Sequence, residues 1–303
     1  MKVLLCGDLA ATGWDTWQVW QRALAAAMPE AQWLDLAQAR REPADVDAAV
    51  VANPPPGSLQ GLPKLRLIQS LWAGVDRLLA DATLPAGVPV ARMVDPAMTA
   101  AMAETALWAV LSLHRGFFAY AQRQREGRWR VHAQRRADEV RVLVLGQGEM
   151  GRAAAARLAA QGYAVQGWRR DGSALAPRLA AADIVVNLLP LTPATTGLLD
   201  AGCFAALPPQ AALVNLGRGA HVVDADLLAA LDSGRLRHAV LDVFHEEPLP
   251  AGHPFWQHPR VTVLPHAAAQ TDPRSAAVVA AANLRAARDG APLLHLAEAG
   301  RGY

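Results

Sequence analysis

Gly146-Gln147-Gly148-Glu149-Met150-Gly151 forms a GxGxxG pattern between an apolar run at residues 140–145 and a helical pattern at residues 150–161. In that context each glycine has a physical reason. The first permits a tight turn, the second lets a pyrophosphate approach the backbone, and the third lets the helix pack close to the strand. The helix N-terminus turns unbonded N–H groups and its positive dipole end toward the phosphates. The competing reading is a glycine turn without a ligand, which the strand before and the helix after disfavour. An NAD site expects an acid on the ribose hydroxyls ~20 residues further on. Here the next strand ends Gly167-Trp168-Arg169-Arg170, and Asp171 comes two residues late. Two arginines in that place suit the 2′-phosphate of NADP(H), which they meet with paired, charge-assisted hydrogen bonds. Arg169 is the first choice and Arg170 the second; the plain alternative is a solvated basic turn. NADP(H) is thus the expected cofactor, with NAD(H) possible.

Three further polar residues each follow an apolar run. Arg218 lies in Asn215-Leu216-Gly217-Arg218-Gly219, Glu247 in the loop after Asp242, and His266 after Leu264. Ligands of open α/β sheets bind beyond the carboxyl ends of the strands. A cation, a carboxylate and an imidazole at that edge form one candidate site. The set suits hydride chemistry on a 2-oxo acid. Histidine can protonate the carbonyl oxygen as hydride reaches carbon. A paired carboxylate favours the imidazolium. An arginine can hold the substrate carboxylate and stabilise the growing charge. Taken singly, each has a bland reading: His266 is one of nine histidines, Glu247 could be a solvated loop acid, and Arg218 could be peripheral. Their joint placement downstream of the glycine loop favours catalysis. A metal set from His245, Glu246, Glu247, His253 and His258 matches no zinc spacing, so no metal is expected.

These residues need a frame. Short apolar runs at residues 3–5, 48–52, 67–71 and 88–93 alternate with helical patterns, one of them capped by Asp15 and carrying Trp17, Leu24 and Met28 on one stripe. Pro54-Pro55-Pro56-Gly57 is a loop. A long helix is expected from residue 99 to about 121, then an exposed basic connection at 127–138. A second series of strands follows at 140–145, 164–168, 184–188, 212–215, 239–242 and 261–264, and an Ala-rich helical tail at 272–296. Strand–helix alternation implies parallel sheets, and the second series has the element count of a doubly wound dinucleotide fold.

The 303 residues suggest two domains, and 52% hydrophobic with 18% charged residues gives a large core. A net charge of +2 with scattered arginines offers no nucleic-acid tract. No apolar stretch is expected to span a bilayer, and the strand pattern at residues 3–5 leads to the expectation of no signal sequence. Cys6 and Cys203 read as core residues, which suits a reducing cytoplasm.

The motifs together resemble the D-2-hydroxyacid dehydrogenase family. The carriers are the GxGxxG helix, Leu189-Pro190-Leu191-Thr192-Pro193 with Thr195, Asn215–Gly219, Leu241-Asp242-Val243-Phe244, Glu247-Pro248-Leu249 and Pro265-His266. The order and spacing of Arg218, Glu247 and His266 are similar to the family's catalytic set. His221-Val222-Val223, the 255–261 segment and Arg301-Gly302-Tyr303 resemble the branch that reduces glyoxylate and hydroxypyruvate. The resemblance implies that Trp72-Ala73-Gly74 binds substrate, with the Ala73 and Gly74 amides on its carboxylate. It implies that Leu189, Pro190, Thr195, Leu216 and Gly217 line the cofactor and that Asp242 orients the nicotinamide carboxamide. It implies two doubly wound parallel-sheet domains: a Rossmann nucleotide domain (97–271) inserted into a flavodoxin-like substrate domain (1–96 plus 272–303), with the active site in the cleft and a homodimer built on the nucleotide domain. One departure stands out: Ala52-Asn53 replaces the branch's Trp-His pair, which leaves side-chain preference open. The expected activity is NADPH-dependent reduction of glyoxylate and hydroxypyruvate. The alternatives are a dehydrogenase for another 2-oxo acid and a non-catalytic dinucleotide sensor. No nucleic-acid or membrane partner is expected.

Overall fold

The computed structural model describes residues 1–7 and 17–298. The Asp15 cap and the 301–303 motif lie outside the described residues. In chain order the first elements are β1 (Lys2–Gly7), α1 (Trp17–Ala27), β2 (Gln32–Leu34), α2 (Leu36–Arg41), β3 (Val46–Ala52), β4 (Ile68–Ser70), α3 (Asp76–Leu79), β5 (Val90–Ala91), α4 (Pro96–Arg115) and α5 (Phe117–Arg125). Then come β6 (Arg141–Leu145), α6 (Glu149–Ala160), β7 (Ala164–Trp168), α7 (Ala176–Leu179), β8 (Ile184–Asn187), α8 (Ala201–Ala206), β9 (Ala211–Asn215), α9 (Asp224–Asp232), β10 (Leu236–Leu241), β11 (Val261–Val263) and α10 (Pro273–Asp289).

The chain divides into two units, Met1–Met98 with Gln270–Tyr303, and Thr99–Ala269. The first holds a five-stranded sheet ordered β2-β1-β3-β4-β5. Its described pairings are parallel. One face buries Leu4, Cys6, Ala49, Val51 and Ile68, and α10 packs on α1, β3 and β4. The short β2 is not among the expected strands, because Gln32-Trp33-Leu34 is too short to show an apolar run. The tail helix stops at Gly290, whose φ of 69° breaks the α-helix, instead of running to 296. The chain beyond it is extended enough for Leu296 to bridge Ala91 in antiparallel fashion.

The second unit holds a six-stranded parallel sheet, β11-β10-β9-β8-β6-β7. Parallel strands covered on both faces should be apolar throughout, and β8 and β9 are buried at every position. Leu143, Leu145 and Val185 pack into the core on one face, Val142, Val144, Ile184 and Val186 into that on the other. Both sheets are doubly wound. In this unit the chain passes from β6 to β7 on one side and then returns to β8 on the other, so the order reverses at β6/β8, where ligands of such folds bind.

α4 ends earlier than expected because Gly116 adopts φ 71° with the His132 ring packed against it, and a new helix starts at Phe117. By length and a mean hydropathy of 1.2, α4 could cross a membrane, contrary to the expectation that no stretch could. Its apolarity has a nearer cause: Ala106, Ala109, Val110 and Leu113 are buried in the core beneath the sheet.

Candidate active site

Register brings the site together. Trp168 pairs with Leu145, Leu145 with Asn187, Asn187 with Asn215, Asn215 with Leu241 and Leu241 with Val263. The six strands therefore finish in one row, and the segments that leave this edge carry Gly146–Gly151, Arg169-Arg170, Leu189-Pro190, Arg218, Asp242 to Glu247, and His266.

The space around each loop glycine shows what the loop can hold. At Gly146 (φ 94°) a Cβ would lie 2.5 Å from the Leu188 carbonyl oxygen, and at Gly151 only 1.8 Å from that of Gly146. The fold itself demands these two glycines. At Gly148 a Cβ would meet nothing within 4 Å, so packing within the protein does not demand glycine there and the space beside its backbone is open to a ligand. Gly148 is the N-cap of α6 and offers no side-chain cap, which leaves the first amides of the helix for an anion. The loop fits the pyrophosphate of a dinucleotide. The Gln147 side chain turns under it, donating to the Val144 and Gly146 carbonyls, and Glu149 pairs with Arg152. Met150 is half-buried.

At the tip of β7, Arg169 pairs with Asp171 at 2.8 Å, and that contact holds the Asp171 carboxyl well below the usual carboxylate range. Arg170 donates to the Ala194 carbonyl and lines a cavity of about 300 Å³ with Trp168, Gly172, Ser173, Leu175 and Leu198.

Glu247 and His266 meet at 2.7 Å between Oε2 and Nδ1. The other Glu247 oxygen accepts from the Phe244 amide at 2.9 Å. Burial alone would push the Glu247 carboxyl up, but hydrogen bonds from His266 and Phe244 and the nearby charges of His266 and Arg218 bring it below its ordinary value. The hydrogen bond to Glu247 raises His266 above its ordinary value, against burial and the Arg218 charge. The pair thus favours imidazolium beside carboxylate. His266 takes φ 52°, an uncommon backbone state for a non-glycine residue, though one that histidine adopts more readily than most. Asp242 anchors this turn: its backbone carbonyl accepts from the His266 amide, and its buried carboxylate accepts from Ala267 and Ala268. Burial pushes the Asp242 carboxyl up while those two amides restrain it.

Arg218 is half-buried, and its Nη1 donates to the Gly217 carbonyl at 2.8 Å. Gly219 packs so tightly on Phe244 that a Cβ would lie 1.9 Å from its carbonyl carbon, which ties the Arg218 segment to the one leading to Glu247. Beneath lies a polar cluster whose pairing the Asn215–Gly219 and His221-Val222-Val223 motifs do not reveal. Asn187, Asn215 and His221 are all buried, with Asn187 Nδ2 donating to Asn215 Oδ1 and to His221 Nδ1, both at 2.9 Å. Its one sequence signal is a polar residue closing each of two otherwise apolar strands. Leu189 and Leu216 are buried beside it. Thr195 is also buried, its hydroxyl donating to the Pro190 carbonyl, so it shapes that loop from within.

In the first unit, the Trp72-Ala73-Gly74 loop is held at three points. The Trp72 amide donates to Ser70 Oγ, the Met93 amide to the Trp72 carbonyl, and Thr271 Oγ1 to the Leu71 carbonyl. Among the described residues no group of His, Cys, Asp and Glu could hold a metal ion.

The family model for the D-isomer specific 2-hydroxyacid dehydrogenase NAD binding domain matches residues 107–268. Glyoxylate/hydroxypyruvate reductase A of Serratia proteamaculans is 40% identical over 288 residues, covering 89% of this chain and 91% of the relative. The D-isomer specific 2-hydroxyacid dehydrogenase of Xanthobacter autotrophicus Py2, solved with NADPH and MES, superposes with a TM-score of 0.92 at 40% identity over 100% of this chain and 99% of that one. The NADPH-dependent glyoxylate/hydroxypyruvate reductase of Sinorhizobium meliloti, solved with NADP and sulfate, gives 0.91 at 35% identity over the same shares. The chain belongs to the D-isomer specific 2-hydroxyacid dehydrogenase family and is an NAD(P)-dependent oxidoreductase of the 2-oxo/2-hydroxy acid couple.

Proposed function

We propose that this protein reduces small 2-oxo acids, glyoxylate and hydroxypyruvate, to the 2-hydroxy acids with NADPH as hydride donor. The observation that carries the reading is the 2.7 Å pair of His266 and Glu247, at the same strand edge as Arg218 and the glycine loop. When bound, the dihydronicotinamide supplies hydride to C2. His266 gives the proton to the carbonyl oxygen from Nε2, the nitrogen not engaged by Glu247. Glu247 keeps the ring oriented and charged until that transfer. Arg218 holds the substrate carboxylate and polarises the carbonyl. On the first unit, the amides of Ala73 and Gly74 are assigned to the carboxylate, and Trp72 limits room beyond C2, which favours two- and three-carbon acids.

For the cofactor, Gly146–Gly151 would cradle the pyrophosphate and Arg169 with Arg170 the 2′-phosphate. Leu189, Pro190, Thr195, Leu216 and Gly217 would shape the nicotinamide side, with Asp242 orienting its carboxamide. The NADPH and NADP held by the Xanthobacter and Sinorhizobium proteins support that choice. Residues 1–96 with 272–303 would serve as the substrate domain and 97–271 as the nucleotide domain. A homodimer on the nucleotide domain would cover Trp108, Phe117 and the fully exposed Trp129.

A second reading keeps the chemistry and changes the acid. It rests on Ala52-Asn53, where Asn53 leaves β3 with φ 47°. A dinucleotide sensor would need the glycine loop but no proton relay, and the Glu247–His266 pair weighs against it. The test is NADPH oxidation with a panel of 2-oxo acids: glyoxylate and hydroxypyruvate should be turned over best, and better kinetics on an aromatic 2-oxo acid would contradict the substrate assignment.

A further inference from the structure

The Asn187–Asn215–His221 cluster is buried, polar and unused by the mechanism above, yet it touches two of the loops that mechanism relies on. His221 Nδ1 faces two donors, the Arg218 backbone amide at 3.2 Å and Asn187 Nδ2 at 2.9 Å. The Arg218 backbone amide can only donate, so Nδ1 accepts, and the Leu189 amide on Asn187 Oδ1 turns Asn187 Nδ2 toward it as the second donor. On the other side of the ring, Nε2 lies 3.2 Å from the Pro190 carbonyl oxygen, which can only accept, so Nε2 carries the hydrogen. The surroundings therefore admit one tautomer of the neutral imidazole. The asparagines complete the frame. Asn215 Nδ2 donates to the Arg218 carbonyl at 3.0 Å, Asn215 Oδ1 accepts from the Gly217 amide at 3.3 Å, and Asn187 Oδ1 accepts from the Leu189 amide at 3.2 Å. Space is as tight as the bonding: a Cβ on Gly217 would lie 3.1 Å from Asn187 Nδ2 and 3.2 Å from His221 Nδ1.

We propose that His221 is a positioning residue that locks the Arg218 loop to the Leu189-Pro190 loop, so that the substrate clamp and the nicotinamide-facing loop are set by one imidazole. The inference rests on the proposed roles of Arg218 and Pro190. It assigns the two halves of the ring different duties: Nδ1 fixes the height of the Arg218 backbone, and Nε2–H fixes the Pro190 carbonyl, which Thr195 Oγ1 also supports at 2.8 Å. Half-satisfied buried networks are unfavourable, so losing either contact should move the loop it serves.

The two duties can be separated by side chains that imitate one nitrogen each. In His221→Asn the amide oxygen falls near the place of Nδ1 and the Pro190 contact is lost. In His221→Gln the amide reaches toward Pro190 and the Arg218 amide loses its acceptor. The backbone here is held independently, since the Leu199 amide donates to the His221 carbonyl and the Gly197 amide to that of Ala220, both at 2.8 Å; the variants should fold, and melting temperature checks that they do. His221→Ala should lower kcat/KM for glyoxylate by roughly tenfold or more, the size of effect that loss of a hydrogen bond of 1.4 kcal/mol gives. His221→Asn should keep KM for glyoxylate near the parent while weakening NADPH binding, and His221→Gln should do the reverse. NADPH dissociation constants are titrated without substrate. If the parent fails on 2-oxo acids, the proposed reaction falls, and the NADPH arm still decides the Pro190 contact. If the Asn and Gln variants match each other in both readouts, or if His221→Ala matches the parent per folded molecule, His221 is a structural core residue and the coupling is overturned.

Discussion

Glu247 holds His266 with one carboxylate oxygen and the Phe244 amide with the other, at 2.7 and 2.9 Å. The imidazole is therefore braced through a side chain that is itself braced by backbone. Nδ1 is occupied by Glu247, so the proposed proton transfer to substrate falls to Nε2. The same contact that orients the ring shifts its protonation equilibrium, so orientation and charge depend on one hydrogen bond.

That dependence has a pH signature. His266 is raised from 6.5 chiefly by its hydrogen bond to Glu247. Reduction needs the imidazolium, so kcat/KM for a 2-oxo acid should fall as pH rises through the raised His266 value. In Glu247→Gln the charge is gone, and the alkaline limb should move to lower pH as well as lose height. The pair also contributes to stability. His266, being raised, contributes below its unfolded value and loses that contribution as pH rises through the folded value. Glu247, lowered from 4.5, contributes above that value and loses it as pH falls through the folded one. An alkaline limb at the same pH in parent and variant would contradict the assignment of Glu247.

Arg218 is expected to act as a planar fork. Arg218→Lys keeps a positive charge but loses the two-pronged geometry for a carboxylate. We expect kcat/KM for glyoxylate to fall by about 10²-fold, since paired charge-assisted hydrogen bonds of ~1.5–3 kcal/mol are lost. NADPH affinity measured by titration should change little. Turnover within a few-fold of the parent would place Arg218 at the periphery.

Two of the loop glycines, Gly151 and Gly148, should separate by readout. Gly151→Ala puts a methyl group 1.8 Å from the Gly146 carbonyl oxygen and should lower the melting temperature. Gly148→Ala meets no protein atom within 4 Å and should melt like the parent, yet bind NADPH at least about tenfold more weakly because the methyl group stands where pyrophosphate approaches the backbone. Unchanged NADPH binding in a folded Gly148→Ala variant would show that the loop does not hold the dinucleotide there.

Much of this was legible in the sequence, and the reasons are local. The glycine pattern gained meaning from the strand before it and the helix after it. Arg218, Glu247 and His266 could be placed at one edge because each follows an apolar run in a parallel sheet. What stayed hidden was set by tertiary packing. Asn187 and Asn215 look like turn residues closing a strand, and only the register that pairs them reveals a buried cluster. His221 stands in the His221-Val222-Val223 motif, but nothing in that motif tells that its ring is buried against Asn187. Gly116 sits in an apolar helical run, and its break depends on packing against His132, a residue distant in sequence. At β7, sequence position favours Arg169, while the structure gives Arg169 to Asp171 and sets Arg170 on the cavity wall.

Cofactor choice depends on which of these two arginines meets the 2′-phosphate. An arginine on the 2′-phosphate is worth about tenfold in affinity or more. The parent should prefer NADPH to NADH in kcat/KM. Arg169→Asp, which places an acid where NAD-specific sites carry one, should weaken or reverse that preference. Arg170→Ala tests the cavity wall in the same way. Equal use of both cofactors by the parent would reduce both arginines to a solvated turn.

The central claim is that His266 protonates a small 2-oxo acid while NADPH reduces it. It is tested most directly by the rate of NADPH oxidation with saturating glyoxylate, compared between the parent and His266→Ala. A positioned general acid contributes ~10²–10⁴-fold, so the parent should turn over and the variant should fall by at least about 10²-fold while still binding NADPH in titration. Near-parental turnover by His266→Ala would contradict the account.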